Sequence, residues 1–108
     1  MIVYSNPDEL AQFDGGNDTL RKFISMNLNL PPVNGCFYSN PKVYIRFIVL
    51  KNGSISDVKI MRGAEDCTEC DAEAIRVVKS MPNWIPAKIS GQPVNSYFNL
   101  PVRFTVFQ

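Results

Sequence analysis

The chain has 108 residues, with eleven basic and ten acidic side chains and no histidine. That length supports one domain with its own core. Balanced charge argues against a nucleic-acid footprint, and the missing histidine removes the commonest general base and metal ligand. There is no run of about 18 apolar residues to span a bilayer. Met1-Ile2-Val3-Tyr4 lacks the basic flank and apolar run of a signal peptide, which fits either a cytosolic chain or a piece of a longer exported protein.

Residues 1–16 read as an extended arm containing Pro7 and ending in Phe13-Asp14-Gly15-Gly16. Two glycines ahead of a helical pattern mark a tight entry turn. A phosphate cradle needs a fuller glycine spacing, which is absent. Leu20, Phe23, Ile24 and Leu28 then follow i, i+3, i+4, i+8. The spacing predicts a helix capped by Asn17 or Asp18, with Arg21, Lys22 and Ser25 toward water and Pro31-Pro32 at its end. Residues 32–42 have no period, and their prolines, glycine and asparagines predict a loop carrying Cys36, Phe37 and Tyr38.

Residues 43–63, VYIRFIVLKNGSISDVKIMRG, predict the hairpin that organises the fold. Val43, Ile45, Phe47 and Val49 share one face, with Tyr44 and Arg46 on the other. Asn52-Gly53 between two apolar runs signals a type I′ turn. On the return, Ser56, Val58 and Ile60 alternate with Asp57, Lys59 and Met61, and Ile55 breaks the pattern, so a bulge or an irregular first residue is expected there. Residues 64–70 read as an acidic connector. Asp71 is expected to cap a second helix, DAEAIRVVKSM, with Ala74, Ile75, Val78 and Met81 inward and Glu73, Arg76 and Lys79 outward. Pro82 ends it. Residues 81–88 are too proline-rich to predict regular structure, and Trp84 is expected to anchor them against the sheet. Gly91-Gln92-Pro93 reads as a turn.

The last strand is the cleanest: Phe98, Leu100, Val102, Phe104 and Val106 alternate with Tyr97, Asn99, Arg103 and Thr105. Pro101 has no N–H for a ladder, so this strand must lie at an edge or be bulged there. The order arm, helix, strand, strand, helix, strand predicts an α+β fold, a small three-stranded antiparallel sheet with two helices on one face.

Catalytic signals are few. Cys67-Thr68-Glu69-Cys70 stands just ahead of a helix N-terminus, where a thiol pKa would fall. Thioredoxin-type chemistry expects that motif in a βαβ context, which is missing. Zinc would need a fourth ligand beyond Cys36, Cys67 and Cys70. Histidine-dependent nucleophile arrangements are impossible. The reading is a non-enzyme without cofactor or metal, whose cysteines are buried thiols or a structural disulfide.

Taken together, Asp14-Gly15-Gly16 before a helix containing Leu20, Leu30-Pro31, the hairpin, DAEAIRVVKSMPNWIPAK, GQPV and LPVRFTV resemble the C-terminal domain of TonB, in the form common in Bacteroidetes. The resemblance runs from Phe13 to the end, which sets off residues 1–12 as an arm and 13–108 as the domain. It departs from the family at Asp14, where Pro is usual, and at Leu30, where Tyr is usual. It departs again in the 32–42 loop, where Pro41 stands near the usual glycine, and in a longer connector at Cys67 to Cys70.

The resemblance implies a periplasmic energy transducer. Its full-length form would be anchored in the inner membrane and would work with ExbB and ExbD. The domain would grip the TonB box of an outer-membrane transporter as an added strand beside its last strand. On this reading the partner contacts are Tyr97, Asn99, Pro101, Arg103 and Thr105, with Asn29 and Leu30. Homodimerisation through the same edge competes, and no nucleic acid is expected. An oxidising periplasm suits a disulfide among Cys67, Cys70 and Cys36. Two rivals remain: a TonB-like interaction module of an envelope sensor or peptidase protein, and a CxxC redox protein.

Overall fold

A computed structural model describes residues 1–29, 42–64 and 67–104. Its elements are α1 (Gly16–Asn27), β1 (Lys42–Val49), β2 (Ile55–Arg62), α2 (Thr68–Lys79), β3 (Ala87–Ile89), β4 (Gln92–Val94) and β5 (Ser96–Arg103). The main sheet has the order β2-β1-β5, antiparallel throughout, and β3 and β4 form a separate hairpin. The fold is the α+β arrangement expected. The sequence pattern had no counterpart for β3 and β4.

Alternation builds the core. Val43, Ile45, Phe47 and Val49 are buried on one face of β1, and Leu100 and Val102 of β5, followed by Phe104, join them. Cys70, Ala74, Val77 and Val78 are the buried residues of α2. In α1 Leu20 is buried, and Phe23, Ile24 and Leu28 pack against the core. Each fully buried Val, Ile, Leu or Phe among them contributes about 1.5–3 kcal/mol on burial.

α2 starts three residues before the expected Asp71. Cys67 is its N-cap, and the Cys67 Sγ accepts the Cys70 N–H at 3.1 Å. Asp71 instead accepts the Ala64 N–H at 2.9 Å and holds the connector. Val77 is fully buried, whereas Ile75 and Met81, which the sequence placed inward, are half-buried.

The β1–β2 turn is not type I′. Gly53 has φ +90°, while Asn52 is not among the positive-φ residues. The Gly53 N–H donates to the Leu50 carbonyl and the Leu50 N–H to that of Ser54. That is a type I turn closed by a left-handed glycine. The Asn52 carboxamide accepts the Ser54 N–H at 3.0 Å, which explains its place there. The type I′ geometry occurs instead at Ser90-Gly91, both at positive φ, in the two-residue link between β3 and β4. Pro93, read as part of a turn, lies inside β4 opposite Lys88.

The bulges also fall elsewhere. Ile55 and Ser56 pair regularly with Val49 and Ile48, and register shifts lie between Tyr44 and Ile45 and between Arg46 and Ile48. Asp57 at φ +51° takes up the second shift. An extra residue on β2 reverses the side-chain parity, so Ile55, Val58 and Ile60 all pack against the core.

α1 begins at Gly16 with Gly15 as N-cap at φ +97°, not at Asn17 or Asp18. The Thr19 hydroxyl packs against Gly15 and donates to its carbonyl at 3.0 Å. The helix ends at Asn27, ahead of the prolines: the Asn27 amide donates to the Phe23 carbonyl, and the next two residues turn toward α2. There Glu73 accepts the Asn29 N–H at 2.6 Å and two bonds from Arg76, while Arg76 also donates to the Asn27 carbonyl.

This clamp holds the Glu73 carboxyl below the usual glutamate range, chiefly through the Arg76 hydrogen bonds, with burial opposing and the Asn29 N–H assisting. A lowered folded value contributes stability in full above the unfolded value of about 4.3 and loses it as pH falls through the folded one. Glu73→Gln is therefore expected to lose stability less steeply below about pH 4.3 than the parent chain. Urea midpoints measured down the pH scale check this, and parallel slopes would show that the clamp does not form.

Candidate functional site: the open edge of β5

β5 has β1 on one side and, among the described residues, no strand of the sheet on the other. Pro101 stands opposite Tyr44. Without an N–H, Pro101 cannot sit in a hydrogen-bonded pair, so the flanking Ile45–Leu100 and Val43–Val102 pairs carry the ladder. Residues of the other parity turn their N–H and C=O away from β1. Tyr97 bears this out: its N–H donates to the Tyr4 carbonyl at 3.1 Å, outside the sheet.

The arm reaches that edge and then leaves it. Tyr4 also donates its N–H to the Asn95 carbonyl at 2.9 Å, giving a parallel bridge to Ser96. Further along, isolated antiparallel bridges pair Glu9 with Lys88 and Gln12 with Ile85, so the arm runs alongside β3 and the residues before it. Among the described residues, no backbone bond reaches the outward groups of Asn99, Pro101 and Arg103. All three are exposed.

Of the expected contacts, Tyr97, Asn99, Pro101 and Arg103 thus lie along one edge, with the Tyr97 N–H already engaged by Tyr4. Asn29 lies at the α1–α2 junction with its N–H held by Glu73. Thr105, Leu30 and Cys36 lie outside the described residues. Sequence reasoning missed the docking of Tyr4. It also missed Arg46, whose guanidinium lies over the Tyr97 ring with Cζ 4.4 Å from the centroid.

Cys67 and Cys70 are joined by a disulfide. Both are buried, at 2% and 0% exposure. Exchange chemistry needs an accessible sulfur, and their position is that of a helix cap within the core.

The architecture is a three-stranded, helix-covered α+β domain whose last strand presents an open edge. The family model for the Gram-negative bacterial TonB protein C-terminal matches residues 40–106, and the chain belongs to that family. It carries a TonB-like energy-transducer domain, of a periplasmic family that engages outer-membrane receptors. No curated protein and no solved structure matches the chain.

Proposed function

We propose that the domain grips the TonB box of an outer-membrane transporter by taking it as a strand outside β5. A longer parent protein, anchored in the inner membrane and coupled to ExbB and ExbD, would supply the pull that drives nutrient or siderophore uptake. The carrying observation is the pair of backbone bonds between Tyr4 and the outer edge at Asn95 and Tyr97. A segment of the chain itself uses that edge as a strand would.

Each main-chain bond adds about 0.5–1.5 kcal/mol net, and ordering an extended peptide opposes it by about 1–2 kcal/mol per residue. Strand addition alone is therefore weak. A weak grip suits a transducer that must release its partner each cycle.

The test is amide chemical-shift mapping with a peptide from a cognate transporter's N-terminus. Shifts are expected at Asn99 and Arg103, and at Thr105 if the strand continues. Shifts confined to β2, or none at millimolar peptide, would overturn the proposal. Removing residues 1–5 frees the Tyr97 N–H, so the shifts should extend to Tyr97 and affinity should rise by up to about tenfold, the worth of one such bond. Self-pairing through the same edge is the competing occupant. It would appear as concentration-dependent shifts on these amides without peptide.

A further inference from the structure

We infer that the outer face of the main sheet is a carboxylate-binding surface, and that the strand added at β5 carries acidic side chains at alternate positions. This rests on the strand addition proposed for that edge.

The three strands of that sheet contain Lys42, Arg46, Lys59, Arg62 and Arg103, against a single carboxylate, Asp57. The whole chain is nearly neutral, so charge is concentrated here. The cross-strand register stacks like charges: Lys42 is directly opposite Arg103, and Arg46 directly opposite Lys59. Arg62 follows opposite Tyr44. Like charges facing each other across a ladder destabilise it. Among the described residues the ion pairs are Asp18–Arg21 and Glu73–Arg76, neither on this face. The folded domain therefore carries a repulsion that an incoming anion would relieve.

Arg46 ties that charge to the open edge. It belongs to the central strand, yet its guanidinium lies over the ring of Tyr97 in β5. A guanidinium over a ring is held by its carbon against the π face, and its N–H fork still matches a carboxylate. In a strand laid beside β5, every second side chain falls on this face, about 4.8 Å beyond Asn99 and Arg103. The intervening side chains fall on the core side, beside Leu100 and Val102. The segment complementary to both is acidic on one face and apolar on the other.

The experiment uses the whole chain and two short capped peptides. One alternates glutamate with valine, and in the other every glutamate is glutamine. At about 0.05 M salt the glutamate peptide should bind about tenfold tighter, and the advantage should shrink toward unity near 0.5 M. Arg46→Gln with Arg103→Gln should abolish that advantage, read as the ratio of the two peptides' affinities for the same variant. Arg46→Lys with Arg103→Lys should keep part of it. Equal affinities, with both peptides shifting the Asn99 and Arg103 amides, would overturn the inference and leave strand addition standing. A glutamate preference with those two backbone amides undisturbed would instead overturn strand addition at this edge. Failure of both peptides to bind would overturn both. Adsorption to phosphatidylglycerol vesicles but not phosphatidylcholine ones, lost in the glutamine variant and without a glutamate-peptide preference, would assign the face to lipid headgroups and overturn the peptide assignment.

Discussion

Replacing Trp84 with alanine is expected to destabilise the domain by about 3–5 kcal/mol, a large share of a typical total of about 5–15 kcal/mol. The indole is 3% exposed. Its ring meets Phe13 at 5.5 Å, Phe47 at 5.3 Å and Phe98 at 4.7 Å between centroids, each edge to face. Those three rings come from the arm, the central strand and the edge strand, so one truncation opens a cavity shared by three segments. The backbone is committed too: the Trp84 N–H donates to the Gly53 carbonyl at 2.7 Å, which seats the β1–β2 turn on the loop after α2. Gly53 packs against the Trp84 carbonyl with no room for a Cβ. The indole Nε1 is buried with no partner among the described residues. Trp84→Phe should therefore cost less than Trp84→Ala, since it keeps ring contacts and removes an unsatisfied donor. Denaturant midpoints check both. A Trp84→Ala shift worth less than about 1 kcal/mol would show that the ring does not hold these segments together.

The residues that were legible from sequence are those with a period. Alternation placed Val43, Ile45, Phe47 and Val49 on the core side, and did the same for Leu100, Val102 and Phe104, because a strand with one buried face admits only one register. Pro101 fixed the edge through a missing atom, a stronger signal than any propensity. Three-residue strands have no period to read, and Pro93 disguised β4 as a turn. In β2 the shared face of Val58 and Ile60 was read correctly and Ile55 did break the alternation, but the irregularity sits at Asp57, where nothing in the residue type announces a positive φ. The N-cap of α2 was misplaced because a cysteine does the work usually given to aspartate. Tyr4 at the β5 edge had no signal at all: it is held there by main-chain groups, which every residue carries, across about ninety positions of sequence.

Proline placed at adjacent positions of β5 should separate the two sides of that strand. Asn99 is exposed, and its backbone shares the outward parity of Tyr97 and Pro101. Asn99→Pro removes a donor from the open side only, and Phe98 before it already has the extended conformation that a following proline prefers. Stability should stay within about 1 kcal/mol of the parent. Affinity for an added strand should fall about three- to tenfold, the worth of one main-chain bond, and further if the ring obstructs the approach. Leu100 faces the other way. It is 7% exposed and pairs with Ile45. Leu100→Pro strips a ladder bond from the central strand and a large side chain from the core, and is expected to destabilise by more than about 3 kcal/mol. Leu100→Ala supplies the side-chain part alone, so the excess of proline over alanine reads out the inward bond. Thermal denaturation and peptide titration of the three variants give the answer together. If Asn99→Pro unfolds the domain as Leu100→Pro does, then the Asn99 N–H belongs to the ladder with β1 and does not face the open side. If Asn99→Pro folds and binds as tightly as the parent, the partner strand lies elsewhere.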